Sequence, residues 1–195
     1  MVGVDNVCMV ENEPLRERLV GTGVDLLEEV GAAQLGLRAI TRAAGVSHGA
    51  PRRHFPTHRA LLAAIAARGF ADLIDRFAAV DPGIGPRDRL VRMSVAYVEF
   101  AGERPEMFTL MFRHDLLEGS GENLRATTLP LFARFAALVT EAALPGTVDP
   151  GERATALWTN LHGIAALQAN RSLRLVAPAA DIPALVHRAL DLHLA

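Results

Sequence analysis

The chain has 195 residues, half of them hydrophobic, with 20 basic residues against 22 acidic ones and a formal net charge of −2. That much apolar side chain excludes a disordered protein and suffices for one or two small cores, while the near-neutral balance excludes a protein that coats nucleic acid over its whole surface. No apolar run approaches the roughly 18 residues that a membrane span requires, and a single cysteine, Cys8, excludes a disulfide framework or a cysteine-rich metal site.

Residues 1–13 lack the joined basic and apolar stretches of a secretory leader and read as a flexible arm, so a soluble, cytoplasmic chain is expected. Residues 14–30 carry Leu15, Leu19, Leu26, Leu27 and Val30 on one side of a helix that Gly31 ends. Residues 37–44 form a second, short helix with Leu37, Ile40 and Ala44 inward, closed by Gly45. Ser47 then starts a third, residues 47–55, although Gly49 and Pro51 are poor helix formers.

A long helix follows over residues 57–80, with Leu61, Leu62, Ile65, Phe70, Leu73, Ile74 and Phe77 apolar, and residues 81–86 break the chain with two prolines and two glycines. Further helices are expected over residues 87–102, 105–113, 122–144, 151–175 and 181–194, with Pro130 kinking the one that contains it. Nothing alternates as a strand would. The fold class is therefore all-α, and a domain boundary is expected within the long helix near Ala71, dividing residues 14–70 from residues 71–195.

Net charge conceals a local asymmetry. The chain contains no lysine, yet residues 31–59 hold five arginines (Arg38, Arg42, Arg52, Arg53, Arg59), three histidines and no acid. Such a segment is the footprint of a small phosphate-facing surface. The spacing from Leu37 to Phe55 is also that of a helix-turn-helix: Gly45 makes the sharp turn, Val46 plugs the space between helices, and the third segment turns Ser47, His48, Gly49, Arg52 and Arg53 outward. An element of that kind enters the major groove, where Arg reads guanine or grips phosphate.

Residues 37–66 resemble the DNA-binding domain of TetR-family regulators in the Ala-Gly-Val-Ser turn at 44–47, the His54-Phe55-Pro56 triplet and Leu61-Leu62 on the next helix. The resemblance implies contacts to double-stranded operator DNA from Arg38, Ser47, His48, Gly49, Arg52, Arg53, His54 and His58. Two positions depart from the family pattern. Arg52 stands where an aromatic residue is usual, and His58 stands where a lysine is usual; a neutral imidazole cannot match a lysine on phosphate, so binding is expected to lean on Arg52, Arg53 and Arg59.

In the C-terminal half, Trp158-Thr-Asn-Leu-His162-Gly163 resembles the Trp-x-x-x-His-Gly signature of one subgroup of that family. The resemblance implies a homodimer built on the last two helices, for which Gly163, Ala165, Ala166 and Ala169 are small enough to allow close approach, with Leu185 and Leu190 completing the contact. It also implies a small-molecule effector. Met93, Tyr97, Phe100, Met107, Phe108, Met111, Phe112, Phe132, Phe135, Trp158, Leu161 and His162 are the candidate lining of its pocket, and the preponderance of Met and Phe points to an apolar ligand.

No metal and no cofactor is expected. His54 and His58 stand four apart, but Pro56 interrupts them and no carboxylate is near. His114-Asp115 is a doublet that helical metal-dependent phosphohydrolases use, which keeps an enzyme as an alternative, although His162 is the only other histidine between His58 and His187. A helix-turn-helix protein that senses no small molecule is the other alternative, and an open pocket among the middle helices would argue against it.

Overall fold

The apolar stripes named above do fold as helices. The computed structural model describes residues 14–47, 49–146 and 148–195, and among these it contains ten α-helices and no strand. The 1–13 arm and His48 lie outside the described residues.

Helix α1 (Leu15–Val30) buries Leu19, Val20 and Leu27 and stops at Gly31, whose φ of +73° is open to a residue without a Cβ. Helix α2 (Leu37–Ala43) buries Ile40, and Gly45 turns the chain with φ +66°. The helix expected over residues 47–55 is not formed. Only a 3-10 turn, Ala50–Arg53, is present, in which the N–H groups of His54 and Phe55 both reach the Pro51 carbonyl. Gly49 and Pro51 deprive the segment of helix propensity, and its place is held by Phe55, which is buried in the core.

Helix α3 (His58–Ala78) is capped by Thr57, whose hydroxyl accepts the Ala60 N–H at 3.1 Å. It runs without interruption through Ala71. Its first half buries Leu61, Leu62 and Ile65, packing on α1, its second half buries Phe70 and Leu73, and both halves belong to one continuous hydrophobic cluster. The long middle and late helices are α4 (Pro86–Glu103), α7 (Arg125–Ala142), α8 (Pro150–Ala169) and α10 (Ile182–Leu194), with α4 packed on α7, α8 and α10. Two short helices, α5 (Pro105–Met111) and α6 (His114–Leu117), pack under α3.

One helix end lies well short of expectation. Helix α8 ends at Ala169 instead of running to 175, because Arg171 takes φ +62° and the chain restarts as the single turn α9 (Leu173–Val176). Helix α7 continues through Pro130, which removes one internal N–H without ending the helix.

Candidate functional site

The 3-10 turn and its approach form an exposed basic surface. Ser47, Gly49, Arg52, Arg53 and His54 are exposed there, as are Arg38 and Arg42 on α2 and Arg59 on α3. Among the described residues no carboxylate pairs with any of these five arginines. His58 is exposed as well and has a structural contact. Its Nε2–H donates to the Leu35 carbonyl at 2.6 Å, so the ring ties the start of α3 to the approach of α2. Behind the turn, Arg18 donates to the Ala44 carbonyl at 2.9 Å, satisfying an acceptor that the end of α2 leaves free. Arg16 lies over the Phe55 ring at 5.4 Å.

Away from that surface lies a cavity of about 960 Å³. Helix α3 supplies Phe70, Leu73, Ile74 and Phe77, α4 supplies Arg89, Met93, Ser94 and Tyr97, α7 supplies Phe132, Phe135 and Leu138, and α8 supplies Trp158 and Leu161. Met111 and Phe112 close the side where α5 ends, and residues 117–119 and 122–125 line another part of the wall.

Eight of the twelve expected lining residues are on this wall: Met93, Tyr97, Met111, Phe112, Phe132, Phe135, Trp158 and Leu161. Four are not. Phe100 is buried in the core with the Arg76 guanidinium 5.1 Å from its ring, and Met107 is buried against Gly69, where even a methyl group would meet its sulfur at 2.6 Å. Phe108 packs edge-on against Tyr97, with ring centroids 5.5 Å apart. His162 stands behind the wall, stacked on Trp158 at 5.3 Å and met edge-on by Phe112 at 4.6 Å.

The His162 position has a defined chemistry. The Tyr97 hydroxyl and His162 Nδ1 are hydrogen-bonded at 2.7 Å, the hydroxyl donating when the imidazole proton is on Nε2. Burial pushes the phenol far above its ordinary range and lowers the imidazole from 6.5, so both groups stay neutral and the hydrogen bond is kept. Two polar atoms on the cavity-lining face have no such partner. Arg89 Nε and Ser94 Oγ are buried without a hydrogen bond, and both residues line the cavity from α4.

Basic surface and cavity are joined by more than the shared helix. The Glu28 carboxylate, on α1, accepts the backbone N–H groups of Glu106 and Met107 at 3.2 and 3.0 Å, capping α5. In return the Glu106 carboxylate accepts the Ala32 N–H at 3.3 Å. Arg104 reaches Asp72 on α3 at 2.6 Å, and Arg16 pairs at 2.8 Å with Glu122, a cavity-lining residue.

Two expected interface residues are core residues of the chain itself. Ala165 and Leu190 are 0% exposed, Ala165 lying on the buried stripe of α8 with Ala154, Leu157 and Leu161. Gly163 is exposed and Ala166, Ala169 and Leu185 are partly so, alongside the exposed Leu167 on α8 and Leu192 on α10. The His114-Asp115 doublet opens α6, but Asp115 is held by Arg113 in two hydrogen bonds of 2.7 Å, which also keep its carboxyl below the usual range. Among the described residues no three His, Cys, Asp or Glu side chains are grouped to hold a metal ion, and no helix is long and apolar enough to cross a membrane.

Sequence reasoning missed the α3 wall, although Phe70, Leu73, Ile74 and Phe77 stand at the i, i+3, i+4, i+7 spacing of one helix face. It also missed Arg89 and Ser94, for which the spacing along α4 with Met93 and Tyr97 was the available signal.

Residues 19–65 match the family model described as bacterial regulatory proteins, tetR family, and residues 90–193 match that of the tetracyclin repressor-like C-terminal domain. None of the curated proteins matches the chain. Among solved structures, a protein with unknown function from Rhodococcus sp. RHA1 is 29% identical with a TM-score of 0.79, the alignment covering 96% of this chain and 97% of that one. NalD, the secondary repressor of the MexAB-OprM multidrug efflux pump in Pseudomonas aeruginosa, is 20% identical with a TM-score of 0.66, covering 90% and 95% of the two chains. BioQ, solved with its double-stranded DNA operator, is 16% identical with a TM-score of 0.65, covering 94% and 99%.

Proposed function

The chain belongs to the TetR family of DNA-binding transcriptional regulators, which are not enzymes, and from that premise we propose that it is a cytoplasmic repressor released from a palindromic operator by a small, largely apolar molecule. The observation that carries this reading is the cavity of about 960 Å³, whose wall includes the second half of α3 while the first half of the same helix supports the basic turn. That volume lies at the upper end of the range for small-molecule sites. It argues against a binder that senses nothing.

In this reading residues 14–70 are the DNA-reading head and residues 71–195 the sensing and dimerising body. Arg52, Arg53 and His54 meet the major groove, with Arg38, Arg42 and Arg59 on phosphates, the division of labour between base and backbone contacts usual for such interfaces. Two copies pair through the exposed small and apolar face of α8 and α10, at Gly163, Ala166, Leu167, Ala169, Leu185 and Leu192. The Trp158 to Gly163 stretch supports the subgroup that carries Trp-x-x-x-His-Gly.

A ligand shifts occupancy only if it binds one arrangement of the heads better than the other. The Glu28 clasp on α5 and the Arg16 to Glu122 pair make the head sensitive to such a change, since both join α1 to segments bordering the cavity. The test is binding to the DNA upstream of the protein's own gene. Saturable, salt-sensitive binding to one palindrome, weakened by Arg53→Ala with dimerisation intact, is expected. Binding that random DNA competes equally well would overturn the repressor reading.

A further inference from the structure

Resting on the reading of the cavity as an effector site, we propose that its ligand is an amphipathic carboxylate, with the acid group received by Arg89 and Ser94 and the apolar body lying among Phe77, Phe132, Phe135 and Trp158. Polar groups buried elsewhere in the chain are served: the Tyr97 hydroxyl by His162, the Thr41 hydroxyl by the Arg38 carbonyl, and the Arg153 guanidinium by the Ala195 carbonyl. Arg89 Nε and Ser94 Oγ are the buried side-chain atoms without a partner among the described residues, and both belong to α4 residues on the cavity wall. Ser94 is only 3% exposed, so solvent does not serve it. Native proteins rarely leave such groups unmet unless something else completes them.

Charge identifies what completes them. Arg89 makes no ion pair among the described residues, and, unlike the exposed arginines that also make none, its Nε is buried. Around the cavity three arginines, Arg89, Arg125 and Arg134, face two carboxylates, Glu118 and Glu122, and Glu122 is neutralised by Arg16. A cation would therefore meet repulsion, and a neutral ligand would leave a buried guanidinium N–H unanswered. A carboxylate answers both donors, since its oxygens accept from a guanidinium fork and a hydroxyl together. The rest of the wall is aromatic and aliphatic and fits a large hydrocarbon body.

The chain has one tryptophan, and it lines the cavity, so its fluorescence reports occupancy directly. Full-length protein is titrated with dodecanoate, 1-dodecanol and dodecylammonium, which share one tail, each below its micellar concentration. Dodecanoate is expected to bind at least about tenfold more tightly than dodecanol, with dodecylammonium weakest. Arg89→Gln is expected to bring dodecanoate and dodecanol to similar affinity, chiefly by weakening the acid, and Ser94→Ala to reduce the preference, in proteins that melt as the parent does. Equal binding of acid and alcohol, or a preference that survives Arg89→Gln, would overturn the carboxylate assignment and leave the effector cavity standing. If none of the three changes Trp158 emission or operator binding, the effector reading itself fails.

Discussion

Glu28 holds α5 from a different helix, which makes Glu28→Ala a direct measurement of how firmly head and body are clasped. Both carboxylate oxygens are engaged, one on the Glu106 N–H and one on the Met107 N–H, and Arg104 is 3.9 Å away. Helix caps contribute roughly 0.5–2 kcal/mol, and a carboxylate at a helix start adds about 0.3–1 kcal/mol. The Arg104 contact is too long and too exposed to add much. Loss of the carboxylate frees two N–H groups that water reaches only in part, so a cost of about 2 kcal/mol is expected. For a chain of this size that is a fall in Tm of roughly 4–8 °C. Glu28→Gln keeps one acceptor but turns an NH2 toward the other N–H, so about half the effect is expected. Thermal unfolding followed by circular dichroism measures both. A Glu28→Ala protein melting within about 1 °C of the parent would mean that the clasp contributes nothing and that coupling must run through α3 and the Arg16 to Glu122 pair.

Two glycines on α1 should respond to alanine with opposite signs. A Cβ at Gly21 meets nothing within 4 Å, so Gly21→Ala is expected to stabilise by up to about 1 kcal/mol through helix propensity. A Cβ at Gly23 would collide with the buried Ile65 side chain and crowd Ile40, so Gly23→Ala is expected to destabilise by roughly 1–2 kcal/mol; equal Tm values for the two variants would refute the packing described here. His162 should make stability depend on pH. Burial lowers its folded value below the ordinary 6.5, so its contribution is intact above 6.5 and is lost as pH falls from there to the depressed value, because the unfolded chain takes up the proton first. Urea midpoints across that window should fall less in His162→Phe than in the parent; parallel curves would show that the ring titrates freely.

Most of the fold was legible in the sequence because helical periodicity is a local signal, and the chain punctuates it with Gly31, Gly45 and the prolines of 81–86. The turn over residues 50–53 was not, since its position is fixed by the burial of Phe55 and not by its own propensity. The cavity was legible in composition and only partly in residue: Met107 and Met111 sit one turn apart on the same face of α5, both with sulfur against Gly69, and only the second, at the end of the helix, reaches the cavity wall. The Tyr97 to His162 bond joins residues 65 apart and could not be read before the helices were placed. Ala165 misled because small residues suit both a helix crossing between copies and a crossing inside one; its alignment with Ala154, Leu157 and Leu161 selects the second.

The uninterrupted course of α3 has a consequence for how such a chain can vary. Leu61 and Ile65 are set by the core of the head, while Phe70, Ile74 and Phe77 are set by the cavity, and one rigid helix fixes the phase between the two groups. Adding or deleting a single residue between Ala66 and Phe70 would rotate the cavity wall by about 100° relative to the first half of the helix, so a change of length here disturbs far more than the packing around one side chain. A chimaera that crosses over within α3 must therefore do so in register, keeping its residue count, or the cavity wall and the basic turn lose their fixed relation.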